Sequence, residues 1–196
     1  QRFLWLYAFQ RAYKENLARR CNDLYQFGTQ FFRKNTKWVR QLAEVKPMWL
    51  EISGNKKSLA NWLNGQHNQT DTRFYQARLA QMEKRPEEAA QIFLESMGSY
   101  PLNERQAVIA VNQLAASEKN KDKAYQKALE ISDLNPNNVA YLKLYARMAV
   151  QEGVPEFAYQ VIPKIELNSS RAEAMAFKSI IDKAVEARFG KAVQNF

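Results

Sequence analysis

The sequence predicts an all-α protein built of antiparallel helical hairpins, and three observations predict it. The 196 residues include only 6 glycines and 6 prolines, against a background of Ala, Leu, Gln, Lys and Glu, the residues that lose least on entering a helix. Apolar residues recur at helical spacing and no stretch alternates in the manner of a strand. Between residues 70 and 167, small residues and prolines also recur at a step of 34 or 35 residues, which is the length of one helix-turn-helix unit.

Taken in order, residues 1–69 form a basic, aromatic-rich helical region. Leu6, Phe9, Tyr13, Leu17, Leu24, Phe27 and Phe31 mark one or two amphipathic helices. Trp38, Val39, Leu42, Ala43 and Val45 make a further apolar stripe, which Lys46-Pro47 is expected to end, and Met48 to Ile52 shows no clear period. Leu59, Trp62 and Leu63 make a short helix after Ser53-Gly54-Asn55; the two stripes read as a worn repeat. The polar run NGQHNQT, residues 64–70, reads as a turn and as an internal boundary.

The stretch 71–103, which includes RFYQARLAQMEKRPEEAAQIFLESMGSYPLN, reads as helix, turn, helix and stop. Ala77 and Ala89 are small where two helices cross, Phe93 follows one turn after Ala89, and Pro101 ends the unit. From Ala89, steps of 35 and 34 residues reach Ala124 and Ala158; from Ala77, steps of 34 and 35 reach Val111 and Ala146. Pro101 steps by 35 to Pro136, and Gly153 falls where the third hairpin turns. On these residues the chain resembles the tetratricopeptide repeat (TPR) family, with Tyr145 and Ala146 the clearest remnant of its first-helix motif. The Leu-Gly-x-x-Tyr core of that motif is otherwise poorly kept. The resemblance implies three repeats, 70–103, 104–138 and 139–167, in a TPR-like α-solenoid. Residues 168–196 then supply a capping helix, with Ser170 and Glu173 spaced as a capping box and Gly190 as the stop.

Charge is uneven. Residues 1–54 hold 10 Lys or Arg against 4 Asp or Glu, so two thirds of the net +9 lies in the first quarter. If that quarter is not simply a packed cap, Trp5, Tyr7, Arg19, Arg20, Arg33, Lys34 and Lys37 suit a membrane surface on its cytoplasmic side, next to an anchor upstream, and the chain is then a membrane-proximal adaptor in a secretion or envelope assembly. A nucleic-acid surface, with Phe31, Phe32 and Trp38 stacking bases, ranks last because no recognised motif supports it. No apolar run reaches the length of a membrane span. A chain that begins with Gln reads as a processed chain or a piece of a longer one, and a cytoplasmic setting, free or at a membrane face, is favoured.

Reagents for catalysis are scarce. Cys21 and His67 are the only residues of their kinds, no cysteine cluster exists to hold zinc, and no phosphate-binding glycine loop or nucleophile elbow appears. Glu87-Glu88 behind Pro86 suits the first turn of a helix better than acid-base work. The tripeptides at 68–70 and 168–170 match the glycosylation acceptor pattern, which is common by chance. No enzyme activity, cofactor or metal is expected. The TPR resemblance implies instead a scaffold that holds a segment of another protein in a groove. Its groove positions carry over to Phe74, Arg78 and Gln81, then Arg105, Val108 and Asn112, then Lys143, Arg147 and Gln151. Arg78, Arg105, Lys143 and Arg147 would favour an acidic segment. The chaperone-tail clamp of the family is not matched, because Arg78 stands where asparagine is preferred, and Ala140 and Leu144 where basic residues are needed.

Overall fold

Helix-forming composition becomes helix almost throughout. The computed structural model describes residues 2–32, 36–66, 72–99 and 102–190, and among these every regular element is helical. The chain divides into two units, residues 1–101 and 102–196.

The first unit opens with α1 (Arg2–Lys14), α2 (Ala18–Phe32) and α3 (Thr36–Ile52), each packed on the other two. Their shared core is Trp5, Phe9, Ala12, Tyr13, Cys21, Tyr25, Trp38, Leu42 and Val45. Asn16 makes the turn between α1 and α2 at φ 57°, a left-handed conformation that asparagine tolerates better than most residues. Gly28 lets α2 approach closely: a Cβ there would lie 2.7 Å from Cζ2 of Trp5 and 2.9 Å from Cδ2 of Leu42. The Trp5 indole N–H donates to the Leu24 carbonyl at 2.9 Å.

Pro47 does not end α3, contrary to the sequence expectation. The helix runs through it to Ile52, and Pro47, Leu50 and Glu51 are all buried. An interior proline removes one ladder bond and costs about 3 kcal/mol. Here α1, α2, α4 and α5 all pack against α3, and that burial offsets the loss. The residues after Pro47 lacked a visible period because they meet several helices at once.

Helix α4 (Lys56–Asn64) is capped by Asn55, whose side chain accepts from the Ser58 amide at 3.0 Å. Most of the polar run that follows, with His67 and the tripeptide at 68–70, lies outside the described residues, as does Pro101. The run falls inside the first unit; the division comes later, between residues 101 and 102. Helices α5 (Arg73–Met82) and α6 (Pro86–Ser99) pack as a hairpin around a three-residue turn in which Lys84 takes φ 62°. Ala77, Ala80, Ala89 and Ala90 are buried between them, and the rings of Phe74 and Phe93 meet with centroids 5.8 Å apart.

In the second unit α7 (Glu104–Ala115) starts with a full capping box: the Asn103 side chain accepts from the Gln106 amide, and Gln106 accepts from the Asn103 amide. A 3-10 turn, Glu118–Asn120, leads into α8 (Lys121–Leu134). Asn138 then caps α9 (Val139–Gln151) and donates from Nδ2 to Oε2 of Glu104 at 2.7 Å, tying α9 to α7. Gly153 turns the chain at φ 79°. The second helix of the third hairpin is not one α-helix. It is a 3-10 segment, Pro155–Val161, followed by α10 (Ile162–Asn168), because Pro163 has no N–H to continue a ladder and is accommodated only in a first turn. Helix α11 (Arg171–Phe189) closes the unit, and Gly190 stops it at φ 74°. Only half of its capping box forms: Ser170 accepts from the Glu173 amide at 3.3 Å, while the Glu173 carboxylate engages Lys143.

Candidate functional site

The groove residues fall into two different environments. On α5, the spacing of Phe74, Arg78 and Gln81 puts them on one face, but that face is turned into the first unit. Phe74 is 2% exposed and belongs to the core. Arg78 donates from Nε to Oε1 of Glu51 at 2.7 Å, with its side chain 19% exposed and that of Glu51 fully buried. The other carboxylate oxygen of Glu51 accepts from the Tyr13 hydroxyl at 2.9 Å, and Arg78 also bonds Gln81. These three groove positions are therefore structural. Arg78 joins α5 to α3, and through Glu51 to α1, rather than offering a charge to a ligand.

Sequence reasoning missed Glu51 because no periodicity marks it: a glutamate in a helix normally reads as a solvated face. A buried carboxylate must be paired and hydrogen-bonded to be tolerated. Tyr13 and Arg78 meet that need across 38 and 27 residues of sequence, a pairing that only the packed structure reveals.

In the second unit, Arg105 and Val108 on α7 are half-buried and Asn112 is exposed; on α9, Lys143 is half-buried while Arg147 and Gln151 are exposed. Helices α7 and α9 pack on one another. Most of both helices is core: Ala107, Ala110, Val111 and Leu114 on one, and Leu142, Leu144, Tyr145, Ala146, Met148 and Ala149 on the other, are all buried. What α7 and α9 leave exposed is a narrow edge. Lys143 is committed to Glu173 of α11 and lies over the Phe177 ring at 5.7 Å. Arg147 makes no hydrogen bond or ion pair among the described residues.

Other polar groups of this unit tie helices together. The Tyr159 hydroxyl donates to Asp182 at 2.7 Å, and Lys178 meets the same carboxylate at 3.0 Å. Burial, and then the hydrogen bond to Asp182, push the Tyr159 hydroxyl up to about 12. Burial also raises Tyr145, whose hydroxyl lies 3.3 Å from that of Tyr125. Burial raises Tyr141 as well, with the Glu104 charge adding to it. Glu152, at the end of α9, is raised by burial and by the Asp122 carboxyl at the start of α8, with Lys121 opposing.

Of the residues expected at a membrane or nucleic-acid surface, Arg19 and Arg20 are exposed on α2. Arg33, Lys34 and the side chain of Lys37 lie outside the described residues. Cys21 is closed in the core. Among the described residues no group of three or more His, Cys, Asp or Glu side chains is placed to hold a metal ion. Comparison with protein-family models, with curated proteins and with solved structures gives no match. A functional reading therefore rests on the residues themselves.

Proposed function

We propose that the chain is a non-catalytic protein-binding scaffold of TPR-like hairpins over residues 70–167, and that within the second unit the exposed edge of α7 and α9 meets an acidic segment of another protein. The observation that carries this reading is the phase of burial. Ala77, Val111 and Ala146, and likewise Ala89, Ala124 and Ala158, the positions related by steps of 34 or 35, are each 0% exposed in their own unit. Within the second unit the exposed positions keep the same step: Asn112 is 35 residues before Arg147, and Ala116 is 35 before Gln151. Inside and outside recurring together is what successive hairpins of one repeat require within the second unit. Arg147 supplies the exposed cation of this edge, and the half-buried Arg105 lies near the start of α7.

The test is a peptide-display selection on the immobilised full chain, repeated with Arg147→Glu, Gln151→Glu, after circular dichroism shows equal helicity. Both residues are exposed, so the fold should tolerate the change. The parent is expected to enrich acidic amphipathic peptides, and the variant to bind them about tenfold or more weakly. Selection of the same peptides by both proteins, or of none by the parent, overturns the assignment.

A further inference from the structure

The first unit carries a second surface that the scaffold reading does not use. On α1, Phe3, Leu4 and Tyr7 are 73%, 72% and 63% exposed, and on α2 Phe31 is 67% exposed and stacked on the half-exposed Phe27 at 4.4 Å. The close approach of Trp5 to Gly28 and the edge contact between Trp5 and Trp38 bring the start of α1, the last turns of α2 and the start of α3 together at one end of the bundle. Val39, half-exposed, belongs to the same end. Down the outer face of α1, Phe3 and Tyr7 are followed at helical spacing by Arg11, ion-paired with Glu15 at 2.7 Å, and by Lys14, and these with Gln10 border a shallow hollow of about 400 Å³. Exposed Arg19 and Arg20 come next in the chain, at the start of α2.

We infer that this face docks on an anionic lipid surface, with Phe3, Leu4, Tyr7, Phe27 and Phe31 entering the headgroup boundary and Arg11, Lys14, Arg19 and Arg20 meeting lipid phosphates. Exposed apolar groups clustered at one end of a bundle are costly in water and mark an interaction surface. Their chemistry selects the occupant. The core of a protein interface is depleted in charge, whereas this face runs from aromatic to cationic along one helix, the order that places rings in an interface and lets cations reach the phosphates. The charge balance agrees: residues 1–101 hold 16 basic against 9 acidic residues, while 102–196 hold 13 against 11. No described helix is long and apolar enough to cross a membrane.

The deciding experiment is flotation of the full chain with vesicles of phosphatidylcholine alone and with vesicles containing about one third phosphatidylglycerol. Two variants are run beside the parent, Leu4→Ser with Phe31→Ser, and Arg19→Gln with Arg20→Gln, each checked for parental tryptophan emission. The parent should float with the anionic vesicles only, and each variant should lose about tenfold or more of its partitioning. The Arg147→Glu, Gln151→Glu protein should float like the parent, so this result is independent of the scaffold reading. Failure to float with anionic vesicles, or flotation that is indifferent to Leu4→Ser with Phe31→Ser, overturns the inference. So does a parental dimer in sedimentation that the same serine variant dissolves without any vesicle binding, since the face would then hold a second copy of the chain.

Discussion

In the first unit the largest fully buried side chains include Phe9, Phe74 and Phe93, and all four tryptophans of the chain lie there; in the second unit the corresponding residues are Leu114, Leu142, Leu144, Ile165 and Ile181. The difference extends to polar groups. The first unit buries a carboxylate and neutralises it with Arg78. Ion pairs between helices of the second, Lys143 with Glu173 and Arg188 with Glu156, remain partly exposed. Large rings fill space in a few irregular pieces, so the core shared by α1, α2 and α3 depends on particular residues. Alanine crossings repeated along α7, α8 and α9 spread the second core over many equivalent contacts.

That contrast can be broken most sharply at Glu51. Glu51→Ala leaves the Arg78 guanidinium and the Tyr13 hydroxyl without their carboxylate and should cost about 3–5 kcal/mol. Lys143→Gln, at the partly exposed pair of the second unit, should cost less than about 1 kcal/mol. Urea titrations followed by circular dichroism compare the two directly, and equal losses would erase the distinction. Next in size is Gly28→Ala, whose methyl group must displace both Trp5 and Leu42. It should cost about 1–3 kcal/mol, and the tryptophan emission, which reports the first unit alone, should shift with it.

The smallest effect is alkaline. Tyr141, Tyr145 and Tyr159 in the second unit are all raised above the ordinary tyrosine value of 10.0, against Tyr25 in the first. The unfolded chain ionises its tyrosines first, so the stability these groups contribute is complete below pH 10 and is lost as pH rises through the folded values. Hydrogen exchange followed peptide by peptide across that range should show protection falling earlier and further in residues 102–190. Loss confined to the first unit would contradict the assignment.

The sequence disclosed one unit better than the other for the same reason. Alanine crossings such as Ala124 and Ala158 are read from a period, and Gly153 and Gly190 from local backbone demands, because each is decided within a few turns of helix. Pro47 points to a helix end because its cost is local, while the burial that offsets it comes from four other helices. The Asn103 and Gln106 capping box is legible in its spacing, whereas the spacing of Glu173 suggests a local partner and Lys143, 30 residues away, competes for it. Phe74 and Arg78 were legible as a helix face but not as a face turned inward, because Glu51 leaves no mark on the pattern of its own helix.

Cys21 completes the comparison in a practical way. Its sulfur is shut among the rings of α1, α2 and α3, so an alkylating reagent reaches it only in the moments when those helices part. The chain's lone thiol is thus a built-in clock, whose labelling rate counts the openings of the aromatic bundle while the alanine-packed half goes unreported.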